Sequence, residues 1–252
     1  MGTASEVSEL YRRYVTLLKH AVTHTLYQPP DPARLADEDT ERAPTDVSDR
    51  PRFAQTMVGL RRLDNVQECV EEVLATDVRG DLIETGVWRG GVAIFMRGLL
   101  AAHGVRDRIV FAADSFEGLP EPNPEEYPAD DGDELHTIDA LAVSRAEVER
   151  NFDLYGLLDD QVRFLEGWFR DTLPVVRERS WAVVRLDGDM YESTTDALVN
   201  LYPGLSVGGF LIIDDYAHTP CRQAVEDYRT AHGIDEPIKR IDFTGAFWQR
   251  RT

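Results

Sequence analysis

Four aspartates that follow two short apolar runs are the residues of this chain best suited to chemistry. Asp187 and Asp189 follow the first run, and Asp214 and Asp215 follow the second. If the two runs are neighbouring strands, these carboxylates meet at one edge of a sheet, where unpaired charges of the same sign repel strongly. A divalent cation removes that repulsion, and a set of oxygen ligands favours Mg²⁺ or Ca²⁺ over Zn²⁺. We therefore predict that Asp187, Asp214 and Asp215 bind a divalent metal, with capping aspartates as the alternative.

Asp189 is the candidate for acid–base chemistry. It lies two residues after Asp187, and we predict that it faces the cavity rather than the metal. A sugar hydroxyl is a very weak acid, but coordination to a metal would lower its pKa and allow a carboxylate to take its proton. No lysine in residues 185–195 competes for this role. Asp189 is therefore our hypothesis for the general base.

A glycine-rich turn, Glu84–Gly91, is the first candidate for binding a nucleotide-like cofactor. Its letters, ETGVWRGG, do not fit the GxGxxG pattern of dinucleotide sites. Glycines let the backbone approach a ligand closely, and a turn that begins with a carboxylate suits a cation better than a pyrophosphate. Since S-adenosylmethionine is positively charged at its amino group and its sulfonium, we predict that Glu84 faces this methyl donor. A tight strand–helix turn without a ligand is the alternative.

Two further strand ends complete the predicted donor site. Asp114 and Ser115 follow the next apolar run, and a carboxylate there can accept hydrogen bonds from ribose hydroxyls. Gly167 and Trp168 follow the run after that, and Trp168 can form a wall for the adenine. A turn aspartate and a surface-packing tryptophan are the corresponding alternatives.

Short apolar runs and helical patterns alternate along the chain. The predicted strands are 81–86, 108–113, 162–165, 181–186 and 210–213, with 239–243 and 246–250 as a closing antiparallel pair. The predicted helices are 5–27, 52–76, 90–100, 143–155, 193–201 and 222–232, the fifth capped at Ser193 or Thr194, and 205–209 is predicted as a turn. This order predicts an α/β fold with a mostly parallel sheet, helices on both faces, and a ligand outside the carboxyl ends of the strands.

The composition argues against several classes of function. The formal net charge is −19, from 46 acidic and 27 basic residues, and it repels phosphate backbones and anionic lipid. We therefore expect no nucleic-acid and no membrane partner, and we expect no membrane span and no signal peptide. Two cysteines form no disulfide framework, which fits a cytoplasmic protein. The acidic stretches 31–49 and 117–139 are predicted as exposed loops or lids.

Other classes of protein also carry acidic residues at strand ends. A metal-dependent phosphoester hydrolase needs basic residues near the metal, and residues 188–215 contain none. A nucleotide-binding oxidoreductase is disfavoured because the GxGxxG pattern is missing. A non-catalytic binding or scaffold protein has no need for the complete set of carboxylates.

Four motifs closely resemble those of the macrocin O-methyltransferase family. They are ETGVWRGG, ADSFEGLP, DGDMY and GGFLIIDDY, at 84–91, 113–120, 187–191 and 208–216. The resemblance continues in TMVGLRRLDNVQ at 56–67 and across 151–174, so it covers nearly the whole chain. Members of this family methylate hydroxyls on the deoxysugars of macrolide and related antibiotics.

The resemblance implies a Rossmann-like class I methyltransferase fold, Mg²⁺, and S-adenosylmethionine as the donor, with S-adenosylhomocysteine as its product. The family's metal aspartates correspond to Asp187, Asp214 and Asp215, and its proposed base corresponds to Asp189. Together, the predicted donor contacts are Thr56, Met57, Glu84, Thr85, Gly86, Trp88, Gly90, Asp114, Ser115, Gly167, Trp168 and Asp187. Family members form homo-oligomers, which implies a dimer or a larger assembly here.

The acceptor is predicted to be a small glycosylated molecule, with a phenol or catechol hydroxyl as the alternative. We predict that His136 and Tyr191 contact it, against the alternative that they are ordinary loop and packing residues. Residues 28–52 and 121–145 depart from the family pattern and would shape the acceptor pocket. We expect residues 1–76 to form an N-terminal helical and lid region of the same domain, and 77–252 to form the methyltransferase core.

Overall fold

One sheet of seven strands forms the centre of the described part of the chain. The computed structural model describes residues 4–27 and 53–252. The strands are β1 (Asp81–Thr85), β2 (Val110–Asp114), β3 (Val162–Glu166), β4 (Trp181–Leu186), β5 (Leu205–Ile213), β6 (Lys239–Arg240) and β7 (Ala246–Gln249). Their order is β3-β2-β1-β4-β5-β7-β6. Strands β1 to β5 pair in parallel, and β7 pairs antiparallel with both β5 and β6. The predicted mostly parallel sheet with a C-terminal antiparallel pair is confirmed.

Helices cover both faces of the sheet, as predicted. They are α1 (Ala4–Val22), α2 (Leu60–Ala75), α3 (Gly91–Ala102), α4 (Arg145–Leu154), α5 (Phe169–Thr172), α6 (Tyr191–Leu201) and α7 (Thr219–His232). Neighbouring strand residues point to opposite faces, so Leu82 packs with the α1–α4 side and Ile83 packs with the α6–α7 side. No helix within residues 4–27 or 53–252 is long and apolar enough to cross a membrane.

The N-terminal helix α1 shares the core of the sheet rather than forming a core of its own. Val15, Leu18 and Val22 of α1 are buried in the same cluster as Phe95 of α3. Gly98 on α3 favours the close approach, because a Cβ there would overlap the end of the Leu18 side chain, which would have to shift. The predicted lid residues 28–52, including the acidic stretch 31–49, lie outside the described residues.

The strand order places a ligand crevice between two particular strands. The chain runs outward from β1 to β3 in one direction and from β4 to β5 in the other, so the order reverses between β1 and β4. In open parallel sheets, ligands bind at the carboxyl ends of the strands beside this reversal. The predicted donor turn follows β1 and the predicted base follows β4, and these two strands are direct neighbours.

Two local predictions were wrong for identifiable physical reasons. Residues 205–209 do not form a turn but begin β5, where Gly208 adopts φ +89° next to a register shift between β4 and β5. The glycines thus mark an irregularity inside a strand. Helix α6 begins at Tyr191 with Met190 as its N-cap, so Ser193 and Thr194 are buried in its first turn and cap nothing. In addition, α2 begins at Leu60 rather than at residue 52, and α1 ends at Val22.

Candidate active site

A cleft at the carboxyl ends of β1, β2 and β4 is lined by eight of the seventeen predicted site residues. It contains about 750 Å³ of empty space, including the part open to solvent. The predicted residues that line it are Met57, Gly86, Trp88, Asp114, Ser115, Trp168, Asp187 and Asp189. The predicted residues outside its lining are Thr56, Glu84, Thr85, Gly90, Gly167, Asp214, Asp215, His136 and Tyr191. Donor, base and metal residues predicted from separate motifs therefore meet around one space.

Asp114 holds the glycine-rich turn in place. Its carboxylate accepts hydrogen bonds from the backbone N–H groups of Val87 (2.7 Å), Trp88 (3.3 Å) and Phe116 (2.8 Å). Burial raises the pKa of Asp114, and these three bonds oppose the rise because they favour the charged form. The Ser115 hydroxyl also lies 3.4 Å from Oδ1 but donates at 2.6 Å to the carbonyl oxygen of Gly118, so about one of the four acceptor positions of the carboxylate remains for a ribose hydroxyl. The structure thus gives Asp114 a role in shaping the turn in addition to the predicted donor contact.

The start of the turn, directly after β1, makes a close backbone contact that only glycine permits. Gly86 adopts φ +81°, and a Cβ at this position would overlap the carbonyl oxygen of Asp187. The left-handed conformation and the missing side chain bring the end of β1 against the end of β4. The donor turn and the carboxylate cluster are therefore adjacent.

Glu84 does not face the cleft, contrary to the reasoning that assigned it to a cationic donor. It is 2% exposed and accepts a hydrogen bond of 2.7 Å from Nη1 of Arg185, its neighbour across β1 and β4. Burial raises the pKa of Glu84 to about 8, although the Arg185 charge opposes the rise. An arginine inside an apolar strand is rarely buried without a partner, and this was the signal in the sequence that could have revealed the pair.

The three predicted metal ligands lie close together. Asp187, Asp214 and Asp215 each offer one carboxylate oxygen, and these oxygens lie within 4.8 Å of one another. Asp187 and Asp214 are not unpaired, however, as the prediction assumed. Arg185 donates to Asp187 (2.7 Å) and to Asp214, and Arg62 of α2 donates to the second oxygen of Asp214.

The donor set fits a hard divalent cation even with these arginines present. The network contains six carboxylates, Glu84, Asp187, Asp189, Asp214, Asp215 and Asp242, and two guanidiniums, Arg62 and Arg185. Burial and mutual repulsion raise the pKa of Asp187 and raise the pKa of Asp215 well above its ordinary value. The two guanidiniums do not balance the six carboxyl groups, so the cluster has an excess of negative charge when these groups are ionised. Its possible metal ligands are all oxygens, which suits Mg²⁺.

Asp189 lines the cleft, and its backbone has a conformation that residues other than glycine seldom adopt. Its φ is +55°, in the left-handed region, which indicates local strain at a site. His218 Nδ1 donates to its carbonyl oxygen at 3.1 Å, and its own N–H points to Asp215 at 3.4 Å. Burial, followed by repulsion from Asp187 and Asp214, raises the pKa of Asp189 to about 7. A carboxylate with a pKa near 7 is suited to accept a proton at neutral pH.

Comparison with known proteins assigns the chain to a family. The family model described as macrocin O-methyltransferase (TylF) matches residues 8–250. This chain belongs to the macrocin O-methyltransferase family. The resemblance seen in the sequence and the predicted O-methyltransferase class are thereby confirmed.

Similar proteins in this family align with almost the full length of this chain. A tetracenomycin rhamnosyl 4'-O-methyltransferase from Streptomyces olivaceus is 54% identical over 94% of this chain and 92% of its own. Mycinamicin III 3''-O-methyltransferase from Micromonospora griseorubida is 49% identical over 94% of this chain and 96% of its own. The solved structure of the O-methyltransferase NovP is 47% identical, covers 96% of this chain and 100% of that chain, and superposes with a TM-score of 0.88. The class I methyltransferase fold is therefore confirmed.

His136 and Tyr191, the two predicted acceptor contacts, do not line the cleft. His136 is exposed in a short 3₁₀ turn, and the Tyr191 hydroxyl donates to Asp227 at 3.2 Å. Tyr191 is the first residue of α6, and its side chain lies outside the cleft lining. Their role as acceptor contacts remains a prediction that this geometry does not support.

The structure places further charged residues in the cleft that the motifs did not indicate. Arg170, Glu192 and Asp196 line the cleft near Asp189, and Arg170 pairs with Glu192 at 3.0 Å. Repulsion from Glu192 adds to burial and raises the pKa of Asp196 to about 6. Glu192 and Asp196 thus extend the acidic lining of the cleft along the first turns of α6.

Proposed function

We propose that this chain transfers a methyl group from S-adenosylmethionine to a hydroxyl of a deoxysugar on a glycosylated natural product, with Mg²⁺ bound and Asp189 as general base. The observation that carries the proposal is that Asp189 lines the same cleft as Asp187 of the carboxylate cluster and as Gly86 and Trp88 of the glycine-rich turn. The relatives support the acceptor class, since two are named for the 4'- and 3''-hydroxyls of glycosylated antibiotics. The reaction forms a C–O bond, breaks the C–S bond of the donor and leaves S-adenosylhomocysteine.

The donor side of the cleft is formed by the turn after β1 and the strand ends beside it. Gly86 lines the cleft with its backbone alone, and Asp114 offers an acceptor position to a ribose hydroxyl. Trp88 and Trp168 line the same space and provide flat apolar surfaces for the adenine. These contacts would hold the donor with its methyl group toward Asp189.

The acceptor side depends on proton removal. When bound by Asp187, Asp214 and Asp215, Mg²⁺ would supply positive charge that lowers the pKa of an acceptor hydroxyl and orients its oxygen. Asp189 would take the hydroxyl proton on its carboxylate as the oxygen attacks the methyl carbon. No lysine is found among the described residues that line the cleft, so a carboxylate is the base that the site provides. A phenol needs less activation than this arrangement supplies, and we favour an aliphatic sugar hydroxyl.

The proposal predicts methyl transfer that depends on a divalent cation. The experiment titrates S-adenosylmethionine into the protein calorimetrically, with and without Mg²⁺, and then assays transfer to a panel of glycosylated natural products. We expect donor binding in the calorimeter and methylation of a sugar hydroxyl, which mass spectrometry of the product detects. EDTA should abolish transfer and added Mg²⁺ should restore it. Absence of donor binding under every condition would contradict the proposed donor site. Methyl transfer that continues in EDTA would contradict the proposed metal requirement.

Mg²⁺ binding should become tighter as the pH rises. The pKa values of Asp187 and Asp215 are raised without the metal, so protons compete with Mg²⁺ and must leave when it binds. Above the ordinary titration range of an aspartate, we expect the affinity to rise by up to about tenfold per pH unit for each proton displaced, until both carboxyl groups are deprotonated. Calorimetry in buffers of different ionisation enthalpy measures the released protons directly. An affinity independent of pH, with no proton release, would contradict the raised pKa values.

A further inference from the structure

One buried carboxylate stands out in the acidic loop between β2 and α4. The loop spans residues 115–144, and Gly118, Leu119 and Leu141 on it line the cleft. Asp130, at the end of a 3₁₀ turn, is 1% exposed, whereas the next residue, Asp131, is exposed. A carboxylate is seldom buried unless its oxygens have partners. The partners of Asp130 therefore indicate what it does.

Both oxygens of Asp130 accept hydrogen bonds from the start of α6. The N–H of Tyr191 donates to Oδ1 at 2.6 Å, and the N–H of Glu192 donates to Oδ2 at 3.0 Å. The first N–H groups of a helix have no partners within the helix, and negative charge is favourable beside them. Met190 is the N-cap and provides no side-chain cap. Asp130 thus caps α6 from a loop about 60 residues earlier in the chain.

The capped end of α6 directly follows the proposed base. Only Met190 separates Asp189 from Tyr191, and Asp189 is held at φ +55°. A left-handed residue relaxes unless its surroundings hold it. The His218 side chain donates a hydrogen bond to the carbonyl oxygen of Asp189. The Asp130 carboxylate accepts one from the N–H of Tyr191, in the helix that directly follows the turn. The Tyr127 and Tyr191 rings, 6.2 Å apart, pack at the same junction.

The loop has a separate attachment to the donor side of the cleft. Nε1 of Trp88, in the glycine-rich turn, donates to the carbonyl oxygen of Ala140 at 2.8 Å. Asp114 holds that turn from β2 and does not contact Asp130. Loss of the Asp130 contacts should therefore leave the donor turn in place.

We propose that Asp130 is a positioning residue that couples the acceptor-side loop to the turn carrying Asp189. The proposal rests on the proposed role of Asp189 as general base. When the loop lies against the cleft, the Asp130 carboxylate fixes the first turn of α6, and the base is held toward the acceptor. When the loop moves away, the cap is lost and the left-handed turn at Asp189 relaxes.

The test compares the full-length protein with its Asp130→Ala variant in two measurements. In steady-state assays we expect kcat to fall about 10- to 100-fold, because a displaced base lowers the rate without removing donor contacts. The dissociation constant of S-adenosylhomocysteine should be unchanged. In hydrogen–deuterium exchange, segments 119–142 and 188–196 should exchange faster, whereas segment 81–91 should not. Asp131→Ala, a change of the exposed neighbour, should match the wild type in both measurements.

Several outcomes decide between this coupling and simpler explanations. Wild-type kcat in Asp130→Ala, or unchanged exchange in segment 188–196, would overturn the proposal. Weaker donor binding together with faster exchange in segment 81–91 would also overturn it, because these changes would indicate general destabilisation. If Asp130→Ala does not fold, Asp130→Asn keeps one acceptor oxygen and should show the same changes in smaller size. If Asp189→Asn retains its rate, the general-base role fails, and the exchange measurement alone then supports or overturns the coupling.

Discussion

Asp189→Asn should lower kcat about 10²- to 10⁴-fold while the protein still binds S-adenosylmethionine and Mg²⁺. General acid–base catalysis contributes rate enhancements of about this size, and asparagine has nearly the same shape as aspartate but cannot take a proton. Asp189 makes no ion pair to the arginines that hold the carboxylate cluster, so the cluster should remain intact in the variant. Single-turnover assays with saturating donor measure the chemical step, and calorimetry measures the two affinities.

The pH dependence gives a second, independent measure of the same base. Only the deprotonated form of Asp189 can accept a proton, so kcat/KM of the wild type should rise with pH and level off above the pKa. Without the metal, burial and repulsion raise that pKa to about 7, and a bound cation lowers it. The rising limb should therefore lie at or below about pH 7 and should be missing in Asp189→Asn. A variant that keeps most of its rate, with the same limb, would show that another group removes the proton.

A matched control separates loss of the base from loss of charge near the cleft. Asp171 on α5 is exposed and lies beside Arg170, which lines the cleft. Asp171→Asn removes one negative charge, as Asp189→Asn does, and should retain wild-type kcat. A similar fall in both variants would indicate a general electrostatic effect rather than proton transfer.

The strand-end residues of the site could be predicted because their positions follow from local pattern. A run of apolar residues predicts a buried strand, and the residue after it must lie at the carboxyl edge of the sheet. Asp114, Asp187 and Asp214 were placed at that edge by this reasoning alone, and the structure has them there. What the pattern could not give was the direction in which each side chain points, and Glu84 shows the consequence, since it lies at the end of β1 but is buried against β4.

The partners of these residues could not be predicted because they come from distant parts of the chain. Arg62 reaches Asp214 across 152 residues of sequence, and Asp130 reaches the N–H groups of α6 across 61 and 62 residues. A helical pattern shows that Arg62 lies on α2, but only the packing of α2 against β4 and β5 buries it. The cap of α6 illustrates the same limit. Ser193 is a residue type that commonly caps helices, but the carboxylate of Asp130 in a distant loop accepts the hydrogen bonds from the first N–H groups of α6.

Arg185→Met should be the most destabilising single substitution among the charged residues of the site. The Arg185 side chain is 1% exposed and pairs with Glu84, Asp187 and Asp214. Methionine fills a similar volume but leaves the buried Glu84 and Asp214 carboxylates and the 27% exposed Asp187 carboxylate without this partner, and breaking a buried ion pair from one side costs about 3–5 kcal/mol. For a chain of this size, the melting temperature should fall by about 6–20 °C. Thermal and urea unfolding of the metal-free protein measure both quantities.

The size and the pH dependence of this loss distinguish a buried charge from simple packing. Arg179→Met breaks an ion pair with Asp81 in which the arginine side chain is 45% exposed, and this control should lose no more than about 1 kcal/mol. Without Arg185, the pKa values of the buried carboxyls rise further above their unfolded values, so folding is penalised increasingly as the pH rises above those unfolded values. The deficit of Arg185→Met should therefore be smaller near about pH 5 than near about pH 8. Adding Glu84→Gln should recover part of the loss, since one unpaired charge is then removed. A deficit that is independent of pH and is not relieved by Glu84→Gln would indicate that lost packing, rather than uncompensated negative charge, destabilises the variant.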